Sequence, residues 1–301
     1  MNHNKKSATE SISQVSPKTH LVLGGGGVAG IAWMTGLLLA LEENGFHINQ
    51  LQRLVGTSAG ATVAAQISSG TPLSELYQRQ TDPQHQVGEL KPDISLPRLG
   101  LSLMMHLLLS AKNPQRYRRR IGKMARKTNR VAPEDRRAVI EQRLPSHQWP
   151  DMDLNIITVN TATGEPRCLD RSSQIDLVDA VTASCAVPGI WPTVQLDDGI
   201  YMDGGMQSTD NALYARGADR LLVISPMGGS NPLIPGETLE EDLAVLEQEG
   251  TQAWVIKPDE TSKLAMGKDP LEPTTRQPAA EAGYQQGLRE VDRVMQTLGL
   301  S

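Results

Sequence analysis

The sequence predicts an α/β fold in which helices flank a mostly parallel sheet, and three observations carry that reading. Strand and helix signals alternate over residues 21–69. Further apolar runs at 154–159 and 220–224 read as buried strands. The residues with chemical promise each follow a strand end, where sites of parallel α/β sheets lie. The 301 residues suffice for one large domain or two small ones.

The first strand lies in the short apolar run Thr19-His20-Leu21-Val22-Leu23, followed by the loop Gly24-Gly25-Gly26-Gly27-Val28-Ala29-Gly30. A helix over residues 29–44 comes next, with Gly45 as its stop. Glycines between a strand and a helix expose backbone N–H groups at the positive end of the helix dipole. Such a nest suits a phosphate or the oxyanion of an acyl-transfer intermediate. Gly25-x-Gly27-x-x-Gly30, with Glu42 or Glu43 downstream, also fits a dinucleotide fingerprint.

The second strand ends at Leu54-Val55-Gly56, and a helix of small residues spans 59–69. Between them, Gly56-Thr57-Ser58-Ala59-Gly60 has the pattern of a nucleophile elbow, a serine on a tight strand-to-helix turn. The bland alternative is a serine that caps the following helix. In the α/β-hydrolase order, the catalytic histidine follows both the serine and the acid. Here His147 is the last of six histidines. The base is therefore another residue type, or a histidine arrives from an unusual place, with His47, His85, His106 and His147 as helpers to consider.

Residues 71–97 are rich in Pro, Gln and Asp and read as loop. Residues 99–111 are strongly apolar, and residues 112–130 carry Lys112, Arg116, Arg118, Arg119, Arg120, Lys123, Arg126, Lys127 and Arg130. The favoured reading is a buried helix packed on the core beside a solvated basic face. The alternative is a helical cap that meets anionic lipid.

A helix at 176–183 runs into Ala183-Ser184-Cys185-Ala186-Val187-Pro188. Nothing basic adjoins Cys185 to activate its thiol. Asp197-Asp198-Gly199 reads as a hairpin turn, and Asp203-Gly204-Gly205 ends the second strand of that hairpin. After the strand at 220–224 come a Gly/Pro-rich loop at 228–236, an acidic helix at 238–248, a short strand at 254–256 and a last helix at 279–298. In that last helix, Gly283 and Gly287 permit close packing on a neighbour.

The glycine loop, Gly56-x-Ser58-x-Gly60, the Ala-Ser-x-Ala-x-Pro segment from Ala183, and Asp203-Gly204-Gly205 occur in an order that resembles the patatin-like phospholipase family, over roughly residues 21–226. The resemblance implies a three-layer fold with a central sheet between helices. It implies a Ser–Asp dyad without histidine, with Ser58 as nucleophile and Asp203 as base, and it implies lipid esters as substrates. On that footing the N–H groups of Gly26, Gly27 and Ala59 are the oxyanion-hole candidates. Gly25, Gly30, Gly56, Gly60, Gly204 and Gly205 are the motif glycines. One position departs from the family: a basic residue often precedes the last loop glycine, and this chain has Ala29 there. The same acyl-enzyme would serve acyl transfer to an acceptor other than water, and a non-catalytic lipid-binding protein is the third reading.

With 29 basic and 34 acidic residues, the composition carries no nucleic-acid footprint. Two cysteines, Cys168 and Cys185, supply no metal cluster and fit a reducing compartment. No cofactor is expected. Residues 1–18 read as a disordered polar tail, and 19–301 as a single domain with a helical cap or insertion at 71–150 and a C-terminal extension at 228–301. A cytoplasmic protein, peripheral at most to an anionic membrane surface, is the expectation.

Overall fold

The computed structural model describes residues 17–91, 94–111, 113–128 and 130–299. The expected N-terminal tail falls almost wholly outside the described residues, as does Lys112. Lys18 is already tied down, its N–H donating to Asp219 Oδ2 at 2.7 Å.

One eight-stranded sheet organises the chain. Its strands are β1 (Thr19–Leu23), β2 (Arg53–Gly56), β3 (Asp153–Asn160), β4 (Pro166–Leu169), β5 (Val194–Leu196), β6 (Gly199–Asp203), β7 (Arg220–Ile224) and β8 (Gln252–Ile256). The spatial order is β5-β6-β3-β2-β1-β7-β8, with β4 also paired to β3. Pairs among β3, β2, β1, β7 and β8 are parallel, whereas β4, β5 and β6 join antiparallel.

The helices are α1 (Gly27–Glu43), α2 (Ala59–Ile67), α3 (Leu73–Thr81), α4 (Leu96–Leu109), α5 (Pro114–Ala125), α6 (Pro133–Arg143), α7 (Leu177–Ser184), α8 (Leu239–Gln248), α9 (Glu260–Met266) and α10 (Arg276–Leu298). Alternate strand residues feed two cores, as the period of a strand requires. Leu21 and Leu23 pack in one core with α1, α2, α7 and α10, while Val22 and Val55 pack in the other with α8 and the turn at 212–215. Helices thus cover both faces of the central sheet.

α1 is apolar all round because it is buried all round. α10 lies against it through glycine contacts. A Cβ on Gly283 would stand 2.1 Å from Trp33 O, and one on Gly36 would stand 2.0 Å from Ala280 O. Only glycine lets the two helix backbones come this close.

Three sequence expectations change. The stretch at 71–97 is not all loop: Leu73, Leu76 and Gln80 form the buried stripe of α3. The apolar helix α4 is not core. None of its residues is buried, and Leu101 and Leu108 are 63% and 69% exposed. Finally, the basic run of α5 is not uniformly solvated. Arg118 is buried and donates from Nε to Gly164 O at 2.6 Å, while Tyr117 and Ile121 on the same helix enter a small core with Val159 and Met202.

Candidate active site

Strand register brings the chemistry together. Leu23 pairs with Gly56, and Gly56 pairs with Ile156, so β1, β2 and β3 run level at their carboxyl ends. Two residues beyond Ile156, Thr158 pairs with Asp203 of β6. Ser58 lies two residues beyond Gly56, which sets it level with Asp203. The base candidate therefore reaches the site on a strand that runs antiparallel to β1, β2 and β3.

At the elbow, Ser58 has φ +54° and ψ −115°, a strained conformation for a residue with a Cβ. The surroundings hold it on both sides. Its N–H donates to Ser184 Oγ at 2.9 Å, and Ser184 Oγ in turn donates to Ile157 O at 2.7 Å. Cys185 Sγ donates to Ser58 O at 3.2 Å. A Cβ on Gly60 would lie 1.9 Å from Leu23 O, so the turn can pack against β1 only with glycine there. Ser58 makes no side-chain cap to α2; its Oγ donates instead to Asp203 Oδ2 at 2.8 Å.

Asp203 is 4% exposed. Its other carboxylate oxygen accepts the Gly205 N–H at 2.7 Å, and its own N–H donates to Ala186 O at 3.0 Å. Burial pushes its pKa up to about 7, against the opposing pull of the Gly205 and Ser58 hydrogen bonds and the charge of Arg136. A carboxyl in this state exchanges a proton near neutrality.

In the glycine loop, Gly24 N–H donates to Ile224 O, Gly25 N–H to Thr209 O, Ala29 N–H to Pro270 O and Gly30 N–H to Gly26 O. Among the described residues the N–H groups of Gly26 and Gly27 take no acceptor in this backbone network, and neither does that of Ala59 at the start of α2. Gly27 turns the chain into α1 with φ +64°.

These groups open on a cavity of about 450 Å³. Ser58, Asp203, Gly25, Gly26, Gly27 and Ala59 line it, as does Gly205. Gly30, Gly56, Gly60 and Gly204 stand behind as backbone supports. Much of the remaining wall is apolar and includes Leu96, Leu99 and Leu103 of α4. No histidine among the described residues lines the cavity. His20 pairs with Ala215 O, His85 with Asp82 and His147 with Glu141. Among the described residues no group of three or more His, Cys, Asp and Glu side chains stands where it could hold a metal ion.

The dinucleotide fingerprint loses its acidic partner. Glu42 and Glu43 sit at the far end of α1, where Glu43 accepts from Tyr284 Oη at 2.6 Å. Asp198 is a hairpin residue, bound to Arg167 and Tyr201. Cys185 does have basic company, since Arg136 and Arg143 act on it through space, but complete burial still raises its pKa and keeps the thiol protonated.

Several contributors were missed from sequence. Arg136 and Arg143 also line the cavity, from the buried face of α6. Their spacing of seven with Val139 and Ile140 between them marks one helical face, and that was the available signal. In the sequence Ser184 reads only as part of a motif, whereas in the structure it anchors the elbow.

Over residues 21–216 the chain matches the family described as patatin-like phospholipase. No curated protein matches it. Among solved structures, it is similar to VipD from Legionella pneumophila, at 14% identity and a TM-score of 0.44, over 93% of this chain and 67% of that one. It is also similar to ExoU in the ExoU–SpcU complex of the Pseudomonas aeruginosa type III secretion system, at 18% identity and a TM-score of 0.41, over 93% of this chain and 52% of that one. The chain thus spans about half the length of the ExoU chain.

Proposed function

Because the chain belongs to the patatin-like phospholipase family, a family of lipid hydrolases, we propose that it cleaves lipid carboxylic esters through a Ser58–Asp203 dyad and an acyl-enzyme. The observation that carries this reading is the 2.8 Å hydrogen bond from Ser58 Oγ to a buried carboxylate whose pKa lies near neutrality.

Ser58 Oγ attacks the ester carbonyl as its proton passes to Asp203 Oδ2. The carbonyl oxygen becomes an oxyanion and is met by the N–H groups of Gly26 and Gly27, with Ala59 as a further donor. Each such donor lowers the barrier by about 3 kcal/mol in comparable sites. Collapse of the intermediate breaks the bond to the alcohol, which takes the proton from Asp203. Water then attacks the acyl-enzyme, Asp203 accepts its proton, and Ser58 leaves protonated with release of the fatty acid. Ser184 and Cys185 hold the elbow backbone, so the strained Ser58 is in place before substrate arrives.

Lipid reaches the cavity across α4. One side of this helix, with Leu96, Leu99 and Leu103, lines the cavity. Leu101, Met105 and Leu108 are exposed, and exposed Met227 lies at the cavity wall. Arg116 and Arg119 follow on α5, both exposed. An apolar rim continuous with the acyl cavity and flanked by guanidiniums suits an anionic lipid surface. No helix among the described residues is long and apolar enough to cross a membrane.

The test is hydrolysis of p-nitrophenyl butyrate and of lysophospholipid micelles by the purified protein, with free fatty acid measured against alcohol released. Equal yields support hydrolysis. Acyl product found on added glycerol instead of water would make the chain a transferase, and no release of alcohol from any ester would leave it a lipid-binding protein.

A further inference from the structure

The buried face of α6 holds a charge that the dyad does not use. Arg143 and Arg276 share one carboxylate, that of Glu89. Arg143 Nε donates to Glu89 Oε1 at 3.0 Å, Arg143 Nη2 pairs with Glu89 Oε2, and Arg276 Nη2 pairs with Glu89 Oε1. Arg276 also donates from Nη1 to Val87 O at 2.8 Å. Among the described residues Arg136 makes no such hydrogen bond. It is 4% exposed, and its Nε and Nη1 are buried without any hydrogen bond. Its guanidinium lies 4.0 Å from the centroid of the Trp191 ring, which offsets part of the cost of burying it. Two guanidiniums thus pair with Glu89, while the third, that of Arg136, feels Glu89 and Asp203 only through space. A buried charge without a hydrogen-bonded partner is costly, and an unused one is unusual.

Arg136, Arg143, Glu89, Trp191 and Ser58 all line the same cavity. Asp203 is near enough for its charge to act on Arg136, but its two oxygens are hydrogen-bonded to Ser58 and Gly205 and it makes no hydrogen bond to the guanidinium among the described residues. On the premise that this cavity binds the lipid ester, we infer that Arg136 is the subsite for an oxyanion carried by the substrate, the phosphate of a lysophospholipid-type ester. An incoming phosphate supplies the acceptors that Arg136 lacks and neutralises the excess positive charge of the cluster. The chain's preferred substrate is then an anionic ester with a phosphate close to the scissile bond, in preference to a neutral glyceride.

Binding tests this apart from catalysis. In Ser58→Ala protein, the Kd values for lauroyl lysophosphatidate, monolauroylglycerol, laurate and inorganic phosphate are measured by calorimetry. The inference expects lysophosphatidate to bind about tenfold or more tighter than the neutral glyceride, the scale of one charge-assisted hydrogen bond. Adding Arg136→Gln should bring that ratio toward one, and Arg136→Lys should keep part of it. Tight binding of inorganic phosphate or laurate, lost equally with Arg136→Gln, keeps the anion subsite but assigns it to free phosphate or to the product carboxylate. Equal affinity for the charged and neutral lipids overturns the inference, as does a ratio that persists in folded Arg136→Gln protein. If the Gln variant does not fold, the Lys variant and the ratio in Ser58→Ala protein decide. Ester cleavage by the unmodified protein is a separate measurement, so failure of the hydrolase reading shows there and not here.

Discussion

Two apolar helices meet at the cavity and have opposite fates. α1 begins at the glycine loop and is buried along almost its whole length, sealed by α10 through Gly36, Gly283 and Gly287. α4 forms the rim and buries no residue, though it is richer still in Leu and Met. The difference lies in the partner. Small residues on α1 and α10 let two backbones touch, and α4 has no helix so fitted to it. On the proposed reading, a rigid floor and an apolar edge left in water are the two halves of a lipid-ester site: the floor holds strained chemistry, and the edge keeps its apolar surface for lipid.

Substitutions on the floor should produce the largest effects. Ser58→Ala and Asp203→Asn should each lower kcat for p-nitrophenyl butyrate on the order of 10⁴-fold, with circular dichroism unchanged. Asp203→Asn has a second signature. The folded state holds the Asp203 proton more tightly than the unfolded chain, so stability falls as pH rises from about 3.8 through about 7. Removing the carboxylate should therefore raise Tm relative to the unmodified protein at pH 8 and change it little at pH 4. On the proposed mechanism the ionised carboxylate of the unmodified protein is the base, so kcat/KM should fall on the acid side with a midpoint near 7. An acid limb near pH 4 would contradict the environment described for Asp203.

Next comes the packing beneath the elbow. Gly60→Ala places a Cβ against Leu23 O and should cost about 3 kcal/mol, seen as a lower Tm. At the rim, Leu101→Ser, Met105→Ser and Leu108→Ser together should weaken binding to anionic vesicles on the order of a hundredfold, read by sedimentation. Cleavage of the soluble butyrate should change far less. The smallest effect belongs to the charges: Arg119→Gln should weaken vesicle binding about fivefold, near 1 kcal/mol for one charge at an anionic surface. Vesicle binding that ignores both sets would return α4 to the status of an ordinary exposed helix.

The floor was far more legible in the sequence than the rim. Buried parallel strands read as apolar runs, and the elbow and the glycine loop need glycines at fixed offsets, so β1, β2, Ser58 and the loop are visible in the residue order. Pairing partners are not. Nothing in the sequence says that β6 would run antiparallel and meet β3 at Thr158, the step that sets Asp203 level with Ser58. α3 was hidden because its buried stripe is short and its other residues polar. For α4 the reason is different: composition reports that a helix is apolar and is silent on whether anything covers it. Arg136 was hardest of all, because an arginine in a polar helix reads as solvent-facing until the tertiary fold buries it.

Fluorophosphonate labelling with site mapping tests the central claim most directly. The account predicts that the label lies on Ser58 alone, and that Asp203→Asn protein, still folded, labels far more slowly. Label on another residue, or Asp203→Asn protein that reacts at the unmodified rate, would contradict it.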